Sequence, residues 1–167
     1  MSSEIYYEKW SGGKEGVIIF LHGWPGDSSK FESLAKLLKS RFTLYALDLP
    51  GWGKTLLKRT YNLEDYAKDV VSFIKVKKIK NPVIVGHSFG GRVGIKIAAN
   101  YPEIPSKLFL IASAGIERKT FKGKIVNAVK GYIPFKKFLR KFMESRDYRN
   151  LTGEKRETFK NIVNENL

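Results

Sequence analysis

Residues 83–91 read VIVGHSFGG. The stretch sets Ser88 between Gly86 and Gly90 in the spacing G-x-S-x-G. An apolar, β-branched run, PVIVG, leads into it, and a helical pattern, GGRVGIKIAAN, leads out. Serine therefore sits on a strand-to-helix turn. Such a turn is sharp and strained, so small neighbours are required, and Gly86 and Gly90 supply them. The turn lifts the Ser88 hydroxyl above the sheet and points a helix N-terminus at it, where developing negative charge is favoured. A nucleophilic serine needs a base. The chain has two histidines, His22 and His87, and neither follows Ser88 in the sequence.

Working outward, β-branched apolar runs alternate with helical patterns, which predicts an α/β fold with a largely parallel sheet flanked by helices. IYYEKW reads as an early strand. GVIIFLHG is a continuous apolar run, as expected of a strand buried on both faces. DSSKFESLAKLLKS follows as a helix capped by Asp27 or Ser28, with Phe31, Leu34, Leu37 and Leu38 as its apolar stripe. FTLYALDLP is the next buried strand. YNLEDYAKDVVSFIKVKKIK is a helix with Asn62 at its N-cap and Asp65 three residues on. The helix after Ser88 turns Val93, Ile97 and Ala98 inward and stops before Pro102. SKLFLIASAG is a further strand.

The character changes after Gly115. Residues 121–150 are basic, aromatic and helical in period, with breaks at Gly131 and Pro134. Phe135, Phe138, Leu139, Phe142 and Met143 share one helical face, which fits a membrane-surface helix or, more often, a face that packs on its own domain. The last pattern, GEKRETFKNIVNENL, is a helix with Phe159, Ile162 and Val163 inward. Two parts are expected: residues 1–115 as a core and 116–167 as a helical segment.

Two further motifs flank the serine turn. HGWPG, His22 to Gly26, directly follows the first long buried strand, where a loop is placed to donate N–H groups to an oxyanion. Phe89, next after the serine, supplies the first donor. For the second, Pro25 has no N–H, which leaves Trp24. His22, Gly23 and Gly26 shape that loop, and His87 is expected to turn into the strand–helix junction in a structural role. DLPGWGKT, Asp48 to Thr55, ends in Gly-Lys-Thr, but a phosphate loop would need Gly where Asp48 stands, and Pro50 removes an N–H from the cradle. It reads instead as a turn that orders the neighbouring loop.

Composition narrows the classes. The 167 residues suffice for one domain, and 43% hydrophobic with 28% charged residues is ordinary for a globular protein. No apolar run is long enough to span a membrane, and MSSEIYYEKW does not have the form of a signal peptide. There are no cysteines, so thiolate metal sites are excluded and a cytoplasmic setting is expected. The formal charge of +15 fits a lysine-rich solvated surface. No helix-turn-helix, zinc-finger or aromatic RNA-binding spacing accompanies it, so no nucleic-acid partner is expected.

HGWPG, DLPGWGKT and GHSFGG, in this order, resemble the oxyanion loop, post-strand turn and nucleophile elbow of the α/β-hydrolase family, and the likeness runs from about Ile5 to Leu167. The resemblance implies a cofactor-free serine hydrolase, with no metal, acting on a small ester, thioester, lactone or amide through an acyl-enzyme on Ser88. Members acting on haloalkanes or epoxides carry Asp at the elbow, which Ser88 argues against. The basic segment corresponds to the family's cap, and DYRNLTGEKRETFKNIVNENL to its closing helices. In the family the order is Ser, acid, His, with the last two on loops after further strands. Glu117 and Asp147 lie downstream, but an acid does not replace an imidazole. The chain is therefore expected to be the N-terminal portion of such a hydrolase, without the C-terminal strands and catalytic His. A complementing C-terminal segment, or an oligomer through an open sheet edge, is expected as partner. The alternatives are a non-catalytic relative that binds a small carbonyl compound and, ranked below it, a basic adaptor for anionic partners.

Overall fold

The computed structural model describes residues 4–113, 148 and 151–165. Five strands form one mixed sheet in the order β1-β3-β2-β4-β5: β1 (Tyr7–Trp10), β2 (Val17–Leu21), β3 (Thr43–Leu47), β4 (Val83–His87) and β5 (Lys107–Ile111). β1 runs antiparallel to β3, and the other three pairings are parallel. Among the described residues four α-helices accompany them: α1 (Glu32–Leu38), α2 (Leu63–Val76), α3 (Phe89–Asn100) and α4 (Gly153–Asn164).

The central strand β2 explains its own composition. Ile19 and Leu21 point into a core with Tyr66 and Val70 of α2 and Val93 and Ile97 of α3. Ile18 and Phe20 point the other way, onto Phe31, Ala35 and Val85. A strand with helices on both faces has no polar side to show, so VIIFL is uninterrupted. Phe20 and Phe31 stack at 4.8 Å between ring centroids.

α2 starts where its signals place it. The Asn62 side chain accepts from the Asp65 N–H at 2.9 Å, and the Asp65 carboxylate accepts from the Asn62 N–H at 3.0 Å. This reciprocal capping box satisfies two donors that no helical carbonyl reaches. α1 departs from expectation. A 3-10 turn, Ser28–Phe31, precedes it, with Asp27 as its cap. Phe31 and Ala35 are buried and Leu38 half-buried, whereas Leu34 is 36% and Leu37 76% exposed. The stripe is thus 31, 35, 38 rather than 31, 34, 37, 38. Phe31 is held against Phe20 and so fixes the phase of the short helix that follows.

α4 is fastened to the core by polar bonds rather than by apolar burial alone. Arg92 on α3 donates to the Ile162 carbonyl at 2.8 Å and to the Glu165 carbonyl. The Glu165 carboxylate accepts from the Leu63 N–H and from Lys96. Thr158 is buried and accepts from the Tyr61 N–H at 2.9 Å. Phe159 and Ile162 are buried as expected, and Val163 is half-buried. The cap face of Phe135, Phe138, Leu139, Phe142 and Met143 lies outside the described residues. Among those described, no helix is long and apolar enough to cross a membrane.

Candidate active site

The site is built on the junction of β4 and α3. Ser88 occupies it with φ 49° and ψ −109°, a conformation that costs a residue with a Cβ and that the surrounding backbone must enforce. Three bonds do so. Ser88 N–H donates to the Ile111 carbonyl at 2.9 Å, Gly91 N–H to the Ser88 carbonyl at 3.1 Å, and Gly90 N–H to the His22 carbonyl at 3.0 Å. The last bond ties the start of α3 to the loop after β2. Gly90 is needed for that approach, because a Cβ there would lie 2.1 Å from the Leu21 carbonyl oxygen. At Gly86 a Cβ would lie 2.5 Å from the Gly90 oxygen.

The loop 22–26 meets the serine turn directly. A Cβ on Gly23 would stand 2.7 Å from His87 Nδ1 and 3.1 Å from Ser88 Cβ. One on Gly26 would stand 2.8 Å from the Gly23 oxygen and 3.3 Å from His22 Nδ1. The N–H groups of Ser88, Gly90 and Gly91 are committed as above. Those of Trp24 and Phe89 enter no turn, loop or cap bond among the described residues. The Trp24 indole packs edge-on against Trp52, Phe89 and Phe159 at 5.1, 5.1 and 5.3 Å, and its Nε1–H is buried without a partner among the described residues. Through Phe159, α4 reaches the loop beside Ser88.

His22 is buried and has no ring nitrogen to spare. Its Nε2 accepts the Leu49 N–H at 2.9 Å, so its proton sits on Nδ1, which donates to the Gly23 carbonyl at 2.8 Å. Burial holds its pKa below the ordinary imidazole value, with Asp48 and Asp27 opposing that shift. It is a neutral brace between two loops. His87 differs from expectation. Rather than turning into the strand–helix junction, it is exposed at the end of β4, where the last strand residue runs out of the sheet's cover, and its ring lies against Gly23.

DLPGWGKT forms the turn expected of it. The buried Asp48 carboxylate accepts the Ser28 N–H and the Lys54 N–H, each at 2.7 Å, and so ties the post-β3 loop to the start of the 3-10 turn. Gly53, at φ 54°, closes over it, and a Cβ there would meet Asp48 Oδ2 at 2.0 Å. Asp48, Trp52, Arg92 and Phe159 were not flagged as neighbours of the site by spacing. The Asp48–Ser28 and Arg92–Glu165 bonds span 20 and 73 residues, and Trp52 and Phe159 meet Trp24 from other parts of the chain, so no local pattern carries the signal. Glu117 and Asp147 lie outside the described residues. Among those described, no group of three or more His, Asp and Glu is placed to hold a metal ion.

Comparison with known proteins supports the fold. The family model described as "alpha/beta hydrolase fold" matches residues 16–160. The chain is 30% identical over 118 residues to the uncharacterized hydrolase YugF of Bacillus subtilis, covering 70% of this chain and 43% of that one. It is 37% identical over 98 residues to the 2-(acetamidomethylene)succinate hydrolase of Mesorhizobium japonicum, covering 58% and 34%. Among solved structures, an esterase from Exiguobacterium antarcticum matches with TM-score 0.63 at 29% identity, covering 67% of this chain and 42% of that one. A marine microorganism esterase matches with TM-score 0.66 at 27% identity, covering 96% and 64%. The chain thus spans less than half the length of the curated relatives it matches.

Proposed function

Because this chain belongs to the alpha/beta hydrolase fold family, we propose that it carries the nucleophile and oxyanion half of a serine hydrolase for a small carboxylic ester, thioester, lactone or amide. One observation carries the proposal. Ser88 sits at positive φ on a turn braced by three backbone bonds, beside a loop whose Trp24 N–H, like that of Phe89, is uncommitted among the described residues. In this reading Ser88 Oγ attacks the substrate carbonyl, and the two N–H groups receive the oxyanion. Such donors act on charge that develops only in the transition state. His22, Gly23, Gly26, Gly86 and Gly90 hold the frame. In this reading α4 belongs to a lid over the site, which the packing of Phe159 on Trp24 supports.

In this reading the general base is a histidine on further sequence, in the same or a second polypeptide: both nitrogens of His22 are engaged, and His87 faces solvent at the end of β4 with its ring against Gly23. Without it, catalysis falls to roughly 10³–10⁴-fold over water. A partner segment would add to the sheet at β5, whose only described strand partner is β4 and whose Phe109 is 56% exposed. The engagement of His22 also favours a second reading, a module that binds a carbonyl compound without turnover.

A fluorophosphonate probe and p-nitrophenyl acetate test both. The expected result is a slow adduct on Ser88 by mass spectrometry, absent in Ser88→Ala, and ester turnover that appears when the chain is extended with a complementing C-terminal segment. Turnover by the completed protein that is unchanged in Ser88→Ala refutes the serine mechanism. A completed protein that binds esters but neither labels nor turns over establishes the binding module.

A further inference from the structure

Between Glu4 and Ser113 the excess of positive charge is confined to one edge of the core. Because β2 to β5 run parallel, the segments that enter them, residues 12–16, 39–42, 75–82 and 101–107, share the edge opposite Ser88. Contacts join these segments pairwise. Glu15 and Arg41 form an ion pair at 2.6 Å, and Ser106 N–H donates to the Pro82 carbonyl at 2.9 Å. From Glu4 to Ser113 there are 17 Lys and Arg against 10 Asp and Glu. This edge takes eight of the first (Lys14, Lys39, Arg41, Lys75, Lys77, Lys78, Lys80, Lys107) and two of the second (Glu15, Glu103). Nine basic and eight acidic residues remain for the rest, which is near balance.

These cations are exposed and largely unneutralised. Among the described residues, Arg41 is the one member in an ion pair, and Lys77 Nζ lies over the Tyr7 ring at 4.6 Å. Lys14, Lys39, Lys75, Lys78, Lys80 and Lys107 face solvent. Apolar side chains stand out among them. Val76, between Lys75 and Lys77, is 72% exposed, and Leu37, two residues before Lys39, is 76% exposed. A solvated structural edge gains nothing from a protruding valine inside a lysine run.

We propose that this edge docks on an anionic lipid bilayer. Clustered lysines gain from a negatively charged leaflet without fixed partners, and Val76 and Leu37 are sized to enter the headgroup–acyl boundary. The composition favours lipid over nucleic acid. Seven of the eight cations are Lys, compact point charges, and the single Arg, whose planar fork suits phosphate and base recognition, is occupied by Glu15. Docked in this way, the sheet stands between the membrane and Ser88. Strands of five residues put the serine edge about 16 Å further out, facing water. The protein would then be a peripheral one whose site takes soluble rather than bilayer-embedded compounds. The docking itself does not depend on the proposed chemistry at Ser88.

Vesicle co-sedimentation of the full chain tests the proposal, with one-third phosphatidylserine in phosphatidylcholine against phosphatidylcholine alone. Binding is expected with the anionic vesicles only, falling steeply as salt rises. The triple reversal K75E/K78E/K80E is expected to lower affinity at least about tenfold, and L37S/V76S several-fold, each with a wild-type melting curve. The milder K75Q/K78Q/K80Q serves if the reversal does not fold. Equal loss from a matched reversal at Lys30, Lys58 and Lys68, or at Lys136, Lys137 and Arg140, overturns the assignment. So does absence of vesicle binding at low salt, or tighter binding of a duplex oligonucleotide than of anionic vesicles at the same salt.

Discussion

Gly90 and Gly94 are one helical turn apart on α3, and the structure predicts opposite outcomes for the same substitution. In Gly90→Ala the new Cβ would stand 2.1 Å from the Leu21 oxygen, 2.5 Å from the Leu21 carbonyl carbon and 2.7 Å from the His22 oxygen. All three are backbone atoms, so no rotamer relieves the clash and α3 must retreat from β2. The retreat costs about 1–3 kcal/mol as overpacking and about 1 kcal/mol for the Gly90–His22 bond. A helix-propensity gain of up to about 1 kcal/mol offsets part of it. The net loss is about 2 kcal/mol, or roughly 4–8 °C in melting temperature for a chain of this size. In Gly94→Ala the Cβ meets the Leu108 Cδ1 at 2.8 Å, the tip of a side chain that can turn away, and Ile84 Cγ2 at an ordinary 3.5 Å. Here the propensity gain balances the adjustment, and the melting temperature stays within about 3 °C of wild type. Thermal melts followed by far-UV circular dichroism measure both. If Gly90→Ala melts with Gly94→Ala, the close approach of α3 to β2 is not what requires glycine at the serine turn.

His22 is held neutral by burial, so its imidazole should titrate below the ordinary value of about 6.5 in an NMR pH series. The stability it contributes is complete above that pH and is lost as pH falls through the lowered folded value; titration at the ordinary value refutes the brace. Asp48→Asn leaves one acceptor for two N–H donors, that of Ser28 buried and that of Lys54 half-buried, and should destabilise by about 2 kcal/mol, read as a lower urea midpoint with unchanged slope. Arg92→Met removes the bonds to the Ile162 and Glu165 carbonyls. It should speed amide exchange in residues 153–164 at least about tenfold while β2, β3 and β4 keep their protection. Uniform exchange across core and α4 would show that Arg92 serves global stability instead.

The parts of the molecule legible in the sequence are those whose determinants are local. The serine turn is visible because Gly86, Ser88 and Gly90 fall within five residues and the strand and helix around them have different periods. The start of α2 is visible because both halves of its capping box lie between Asn62 and Asp65. The phase of α1 is not legible because Leu34 and Leu37 fit a helical stripe as well as Ala35 does. A contact from outside the helix, Phe31 on Phe20, chooses between them. The exposure of His87 depends on where β4 leaves the sheet, and the burial of Arg92 on carbonyls some seventy residues downstream. Neither leaves a mark within its own window of sequence. The two proposed donors, Trp24 and Phe89, occupy a middle ground. Trp24 was named by excluding Pro25, and its neighbours Trp52 and Phe159 come from loops and a helix that only the fold brings together.

That aromatic group gives the molecule an optical signature. Trp24 and Trp52 stand 5.1 Å apart with their planes at 69°, close enough for their excited states to couple. Trp10 stands apart on β1. The near-ultraviolet dichroism of the pair therefore follows the seating of Phe159, the third ring against Trp24. Undocking of α4 would flatten that band and shift Trp24 emission to the red while the far-ultraviolet signal of the sheet persists. The position of α4 can thus be followed in the native chain, without a label, as substrates, salt or vesicles are added.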